Sequence, residues 1–415
     1  MSGAERRPDA IFLALLLAAL FTPAPVIGQV RTGDIGFETP GLAEGRTGST
    51  PTTGLLFPRR PIDEPILIEN TPLEAGTTTQ IALHSGQSFL GSTLETVVIA
   101  VRGRNPGPTL CLTAGIHGDE LNGTETVRRV VTGLSPEDVA GTILALPIAN
   151  VHGFRNQSRL LPDRRDLDRH FPGSIDGSAA SRIAHAIFDG LIRHCDALVD
   201  LHSGSFRRTS LPHVRGDFRL SPTRELARGL GTTVAIDRTG PEGSLEYETS
   251  RLGVPSVVFE SGESLRLQPE VIEEAEKSIL RLLDHLEMRV AAARFAEREP
   301  PQFFAKASWL RVNHGGVFLP AVGLSDVVDE GEVLATVYDP LGGRRAAVRA
   351  ARRGKVIGMA LPQVVLPGFA AFWLGRIDSG EAVGSATAED ARSGEPEESA
   401  GFVATVEVAE LEEGE

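Results

Sequence analysis

Cysteine occurs only twice in the 415 residues, at Cys111 and Cys195. Two cysteines build neither a disulfide framework nor a cysteine-rich zinc site. Both lie in apolar, strand-like runs, so buried free thiols are the expectation, with one bridge open to an oxidising compartment. Lysine is nearly missing: three of the 41 basic residues are Lys and the rest Arg, a coding bias with no functional content. There is no basic block and no basic stripe studded with aromatics, which excludes the usual nucleic-acid-binding patterns. No Gly-x-Ser-x-Gly elbow occurs, which argues against a serine hydrolase.

What is present reads as globular. The chain is 41% apolar and 23% charged, ordinary usage for folded domains. Its length suggests two or three of them. The net charge of −14 comes mostly from one end: residues 381–415 hold eleven acids and one base, Arg392. That stretch reads as a solvated, disordered tail; the remainder is near-neutral.

The other end reads as a secretory signal. Arg6 and Arg7 precede an apolar run from Ile11 to Phe21, and Val26-Ile27-Gly28 offers a small-residue cleavage site before Gln29. This is the order of a signal peptide. The run is shorter than the ~20 residues that span a bilayer comfortably. No Cys follows it, so no lipid anchor is expected. The expectation is an exported protein, periplasmic or secreted, without stable membrane insertion after cleavage.

The resulting division is residues 1–28 signal peptide, 29–72 linker or extended arm, 73–298 catalytic domain, 299–380 glycine-rich β-domain and 381–415 tail. Strands are expected over 80–84, 95–101, 109–114, 142–146, 197–201 and 256–259, with 105–108 as a turn. Helices are expected over 121–133, 178–193, 223–230 and 269–289. Alternating strands and helices imply an α/β domain with a mixed, largely parallel sheet flanked by helices. From Leu310 to Arg376 short strands and regularly spaced glycines imply a small all-β barrel or sandwich.

The most informative stretch is Gly115-Ile116-His117-Gly118-Asp119-Glu120, where a strand gives way to a helix. Ligands bind at such strand ends in α/β sheets. His117 and Glu120 can converge on one metal. Asp200-Leu201-His202-Ser203-Gly204, at another strand end, supplies a third donor. Two His and one Glu leave a position open for water, as in thermolysin and carboxypeptidase A. The duller reading is a pair of hydrogen-bonded loops. Glu260, after the apolar strand Val257-Val258-Phe259, is a candidate base for that water. Glu263 is its rival. The run from Ser158 to Arg169 is dense in Arg, and a guanidinium there can stabilise an oxyanion or clamp a carboxylate. Phe206 to Asp217 reads as a loop whose Arg207, Arg208, His213 and Arg215 are either substrate contacts or a solvated surface.

Four ordered stretches carry a resemblance: GIHGDELNG (115–123), the run 158–173 ending DLDRHFPG, DLHSGS (200–205) and VPSVVFESGE (254–263). Together they resemble the succinylglutamate desuccinylase/aspartoacylase family, zinc hydrolases related to carboxypeptidase A. The resemblance covers roughly 105–286, and the glycine-rich segment resembles the β-domain that follows in that family. It implies one zinc per chain held by His117, Glu120 and His202. Glu260 becomes the general base and acid, and Arg159 the group that polarises the scissile carbonyl. Arg169 and position 168 become substrate-binding, and Asp166 orients the first His. Position 168 departs from the pattern: Asp168 stands where the family usually has Asn. Asn can donate to a substrate carboxylate; ionised Asp cannot. The expected substrate is a small N-acyl amino acid or a short peptide. A carboxypeptidase with the same residues, or a zinc-free binding module, are the alternatives, and the sequence is silent on oligomeric state.

Overall fold

The computed structural model describes residues 57–87, 93–290, 294–296, 298–377, 401–403 and 408–409. The expected signal peptide, the start of the linker and most of the tail lie outside the described residues. From Phe57 onward, the stretch expected as linker or arm packs against the α/β domain. Phe57, Ile66, Ile68 and Leu73 are buried. The short hairpin of β1 (Leu67–Ile68) and β2 (Thr71–Pro72) lies within it. Arg60 clamps Asp196 with both ends of its guanidinium at 2.8 Å.

In chain order, the α/β domain next contains β3 (Thr77–Gln87), β4 (Thr93–Arg102), β5 (Asn105–Ala114), α1 (Leu121–Gly133) and β6 (Ala140–Leu146). It continues with α2 (Val151–Asn156), α3 (Ala179–Gly190), β7 (Ala197–Gly204), β8 (Arg208–Gly216) and α4 (Ser221–Leu230). It closes with β9 (Val234–Asp237), α5 (Leu245–Arg251), β10 (Ser256–Glu263) and α6 (Pro269–His285). At the centre of the sheet β6, β5, β7 and β10 run parallel. β4 and β3 continue antiparallel beyond β6, and β8 lies antiparallel against β10. Residues of β6 and β7 are buried throughout. Both faces of these strands are covered, so they read as unbroken apolar runs and not as alternation.

One face of the sheet packs on α1, α4 and α6 through residues such as Val127, Leu230 and Leu282. The other packs on α3, α5 and the N-terminal arm through Ile183, Leu245 and Ile68. α6 carries Pro269 in its first turn, where a missing N–H costs nothing, and Ile272, Ala275, Ile279 and Leu282 on its buried side.

Three sequence expectations are corrected. Cys111 and Cys195 form a disulfide, with Cα atoms 5.7 Å apart, because β5 and β7 are neighbours and Cys195 lies two residues before the start of β7. The buried free thiols expected from composition are therefore a buried bridge. Residues 105–108 begin β5 and are not a turn; each residue before Pro106 and Pro108 is biased to extended backbone. Residues 208–216 form a strand, not a loop. Its Pro212 falls where the register with β10 breaks between Glu260 and Gly262, the kind of bulge that tolerates Pro. Within the stretch read as a tail, the described residues are β20 (Gly401–Val403), which pairs with β12 (Ala307–Arg311), and β21 (Val408–Ala409), which pairs with β16 (Arg345–Arg349).

After α6 the chain is all-β: β11 (Gln302–Phe304), β12 (Ala307–Arg311), β13 (Gly316–Pro320), β14 (Val327–Val328), β15 (Val333–Tyr338), β16 (Arg345–Arg349), β17 (Gly354–Ala360), β18 (Gln363–Val365) and β19 (Ala370–Arg376). β12, β19 and β17 form one antiparallel layer. β18, β13, β15 and β16 form another. A core including Phe318, Leu334, Val356 and Phe372 fills the space between them. β17 also pairs with β8, through Gly358 opposite Ser210 and Met359 opposite Thr209. The β-domain therefore extends the central sheet.

Candidate metal centre

The turn from β5 into α1 carries His117 and Glu120. Gly115 has φ +63, a conformation that glycine adopts without penalty. A Cβ on Gly118 would lie 1.9 Å from the carbonyl carbon of Gly153 on α2. The turn is thus pressed against α2 and admits no side chain there. Glu120 is the residue capping the start of α1. His202 arrives from the end of β7. Nδ1 of His117 is 2.8 Å from Glu120 Oε1, and Nδ1 of His202 is 3.1 Å from Glu120 Oε2. One donor atom from each of the three residues falls within 4.8 Å of the others, and all three residues are buried. This group can hold a metal ion.

The far nitrogen of each imidazole has its own carboxylate. His117 Nε2 lies 3.1 Å from Asp166 Oδ1, and His202 Nε2 lies 2.9 Å from Asp200 Oδ2. A carboxylate only accepts, so Asp166 and Asp200 each take an N–H from Nε2, which fixes both rings with Nδ1 toward Glu120. Asp200 is itself steadied by the Thr113 hydroxyl at 2.6 Å. Burial opposes protonation of His117 and His202, but Glu120 raises His117, and Asp200 with Glu120 raises His202 further. Burial would raise Glu120; the two His outweigh it and hold it well below the usual carboxylate range. Asp166 is likewise lowered, chiefly by His117.

Arg159 reaches the same centre from the segment after α2. Its Nη2 is 3.0 Å from Asp166 and its Nη1 3.4 Å from Glu120. Glu260 stands on β10 in register with His202 on β7, hence on the same face of the sheet. Arg215 on β8 approaches Glu260 Oε1 to 3.4 Å. Glu263, the rival base, is committed elsewhere: Arg266 donates to it at 2.8 Å, and Gln268 at 3.3 Å.

The remaining expected residues are placed differently. Asp168 is buried, and its Oδ1 accepts from the backbone N–H of Leu245 at 2.9 Å, anchoring α5. Arg169 donates to the Asp168 carbonyl oxygen at 2.6 Å. It lines a cavity of about 550 Å³ with Phe171, Glu248 and Arg251, in which none of the three metal-centre residues takes part. Asp200 and Arg215 were missed as orienting groups. The only signal for Asp200 was its place two residues before His202 on a strand. His213, read as a possible substrate contact, is fully buried against Trp373, with ring centroids 5.2 Å apart.

A family model for the succinylglutamate desuccinylase/aspartoacylase catalytic domain matches residues 106–286. That segment is similar to the family's catalytic domain. A curated relative, the N-alpha-acetyl-L-2,4-diaminobutyric acid deacetylase of Halomonas elongata, is 29% identical over 300 residues, covering 69% of this chain and 86% of its own. Among solved structures, the product-bound ectoine utilization protein EutE (DoeB) from Ruegeria pomeroyi superposes with a TM-score of 0.65 at 23% identity. That match covers 72% of this chain and 94% of that one. A succinylglutamate desuccinylase/aspartoacylase from Rhodobacter sphaeroides gives 0.64 at 24% identity, covering 72% and 96%. These structures share the family fold, the mixed sheet flanked by helices.

Proposed function

We propose that this protein is a zinc-dependent hydrolase that cleaves the amide bond of a small N-acyl amino acid. One observation carries the reading: Nδ1 of His117, Nδ1 of His202 and the Glu120 carboxylate converge, while Asp166 and Asp200 hold the opposite nitrogens. Two imidazoles and one carboxylate, without thiolate, are a catalytic zinc set. When bound there, zinc would supply Lewis acidity and bring the pKa of a water molecule to about 7.

The protein's own groups supply the rest. Glu260 takes a proton from the attacking water. Arg159 donates N–H bonds to the carbonyl oxygen as charge builds on it, which favours the transition state over the substrate. Glu260 returns the proton to the departing amine, leaving a carboxylic acid and a free amino group. Arg215 holds the Glu260 carboxylate in place. Arg169 is the candidate for the substrate carboxylate, with Asp168 positioning it through the adjacent backbone.

The curated relative deacetylates N-alpha-acetyl-2,4-diaminobutyrate, which makes N-acetylated amino acids with and without a second amine the first substrates to assay. Release of acetate from that panel, with no cleavage of peptides, is the expected result. Cleavage of peptides from the carboxyl end would favour the carboxypeptidase alternative. Activity toward neither, with no bound zinc, would favour the binding module. We also propose export to an oxidising compartment; the buried Cys111–Cys195 bridge supports it.

A further inference from the structure

β7 ends at Gly204, and the chain reverses into β8 through Ser205, Phe206 and Arg207. Phe206 and Arg207 have φ of +54 and +57. Two successive non-glycine residues in the left-handed region are costly and persist only when their surroundings hold them. Those surroundings belong to the β-domain. The Arg207 carbonyl accepts from Leu361 N–H and from Gln363 Nε2, each at 2.9 Å. Arg208 Nε donates to the Ala370 carbonyl at 2.8 Å, and its guanidinium lies 4.8 Å from the Trp309 ring and 4.7 Å from that of Phe369. Burial lowers Arg208 to about 10.

The turn so clamped presents Phe206, a large apolar side chain that remains 61% exposed. Its ring centroid is 5.8 Å from the guanidinium carbon of Arg159. Arg159 is the group assigned to the scissile carbonyl, so the ring stands beside the position of that carbonyl. Arg169, assigned to the amino-acid half, faces a different cavity. An exposed aromatic ring held in a strained turn next to the reacting carbonyl is suited to an apolar chain attached to that carbonyl.

We infer that Phe206 is a specificity-determining residue that contacts an apolar acyl chain longer than acetyl, and that the β-domain positions it. The inference rests on the amide-hydrolase reading for its orientation. The test uses the full zinc-loaded protein and N-acetyl, N-butanoyl and N-hexanoyl forms of one amino acid. In parallel, binding of acetate, butanoate and hexanoate, the acyl products, is measured by calorimetry. Wild type should favour hexanoyl over acetyl in kcat/KM and hexanoate over acetate in Kd, each by about tenfold, the scale of a small apolar contact. Phe206→Ala should bring both ratios to about one, and Phe206→Leu should keep most of each. Arg208→Met, which removes one tie to the β-domain and the guanidinium 5.8 Å from the Phe206 ring, should lower both ratios with zinc content unchanged.

Equal handling of all chain lengths by wild type, or unchanged ratios in Phe206→Ala, would overturn the role of Phe206. Ratios kept in Arg208→Met would overturn the part given to the β-domain. No turnover of any substrate, with the hexanoate preference intact and lost in Phe206→Ala, would sink the hydrolase reading and leave the acyl-chain contact standing.

Discussion

Asp200 Oδ2 lies 2.9 Å from Nε2 of His202, two residues further along the same buried strand. Side chains at i and i+2 of a strand share a face, so the strand itself delivers both the donor and the group that aims it. Removing the carboxylate frees the imidazole to turn or to change tautomer. Asp200→Ala should weaken zinc affinity by about 10–100-fold, read by competition with a chromogenic chelator. Affinity equal to wild type would show that Asp200 does not orient His202.

Glu260→Gln separates chemistry from metal binding. Glu260 is not among the residues that converge on the metal position, so the variant should retain zinc. Gln cannot take a proton from water, and turnover should fall by about 10²–10⁴-fold. Near-normal turnover would remove Glu260 as the base.

Glu246 on α5 supplies a pH test. It is 1% exposed, and its Oε1 has no hydrogen-bond partner. Burial pushes it up from 4.5 to about 7, against the pull of Arg215. Between these values the folded chain keeps a proton that the unfolded chain has lost. Its contribution to stability is intact at low pH and is lost as pH rises through that window. Glu246→Gln keeps an oxygen for the Gly240 N–H and removes the titration. The variant should gain little at pH 4 and about 3 kcal/mol above pH 7, measured by urea unfolding. An equal gain at both pH values would contradict the buried-acid assignment.

The Cys111–Cys195 bridge closes a sequence separation of 84 residues between adjacent core strands. Chain-entropy reasoning for a loop of that size gives a loss of about 4–5 kcal/mol on reduction. A marked fall in the thermal midpoint under a reductant that reaches the unfolded chain is therefore expected. An unchanged midpoint, with both thiols titrating as free, would contradict the bridge.

Much of this was legible in the residues, for physical reasons. His117 and Glu120 announced themselves because a buried strand runs into a glycine-bearing turn and then a helix. His202 stood out because it ends another apolar strand. The rest depended on which strands become neighbours, which single-chain patterning does not encode. The cysteines pair only because β5 and β7 are adjacent. β8 was unreadable as a strand, since Arg208–Gly216 mixes polar residues with Pro212 and is held in place by β10, β9 and β17. For the same reason His213 and Arg215 could not be told apart: one turns into the apolar packing around Trp373, the other onto Glu260. α5, seven residues rich in charge, offered no apolar stripe, and so Asp168 was not seen as its anchor.

The central claim is that His117, Glu120 and His202 hold one zinc ion, and elemental analysis of the purified mature chain beside His117→Ala tests it most directly. The account predicts about one zinc per chain in wild type and its loss in the variant. Absence of tightly bound metal from wild type after zinc is supplied, or equal zinc in both proteins, would contradict it.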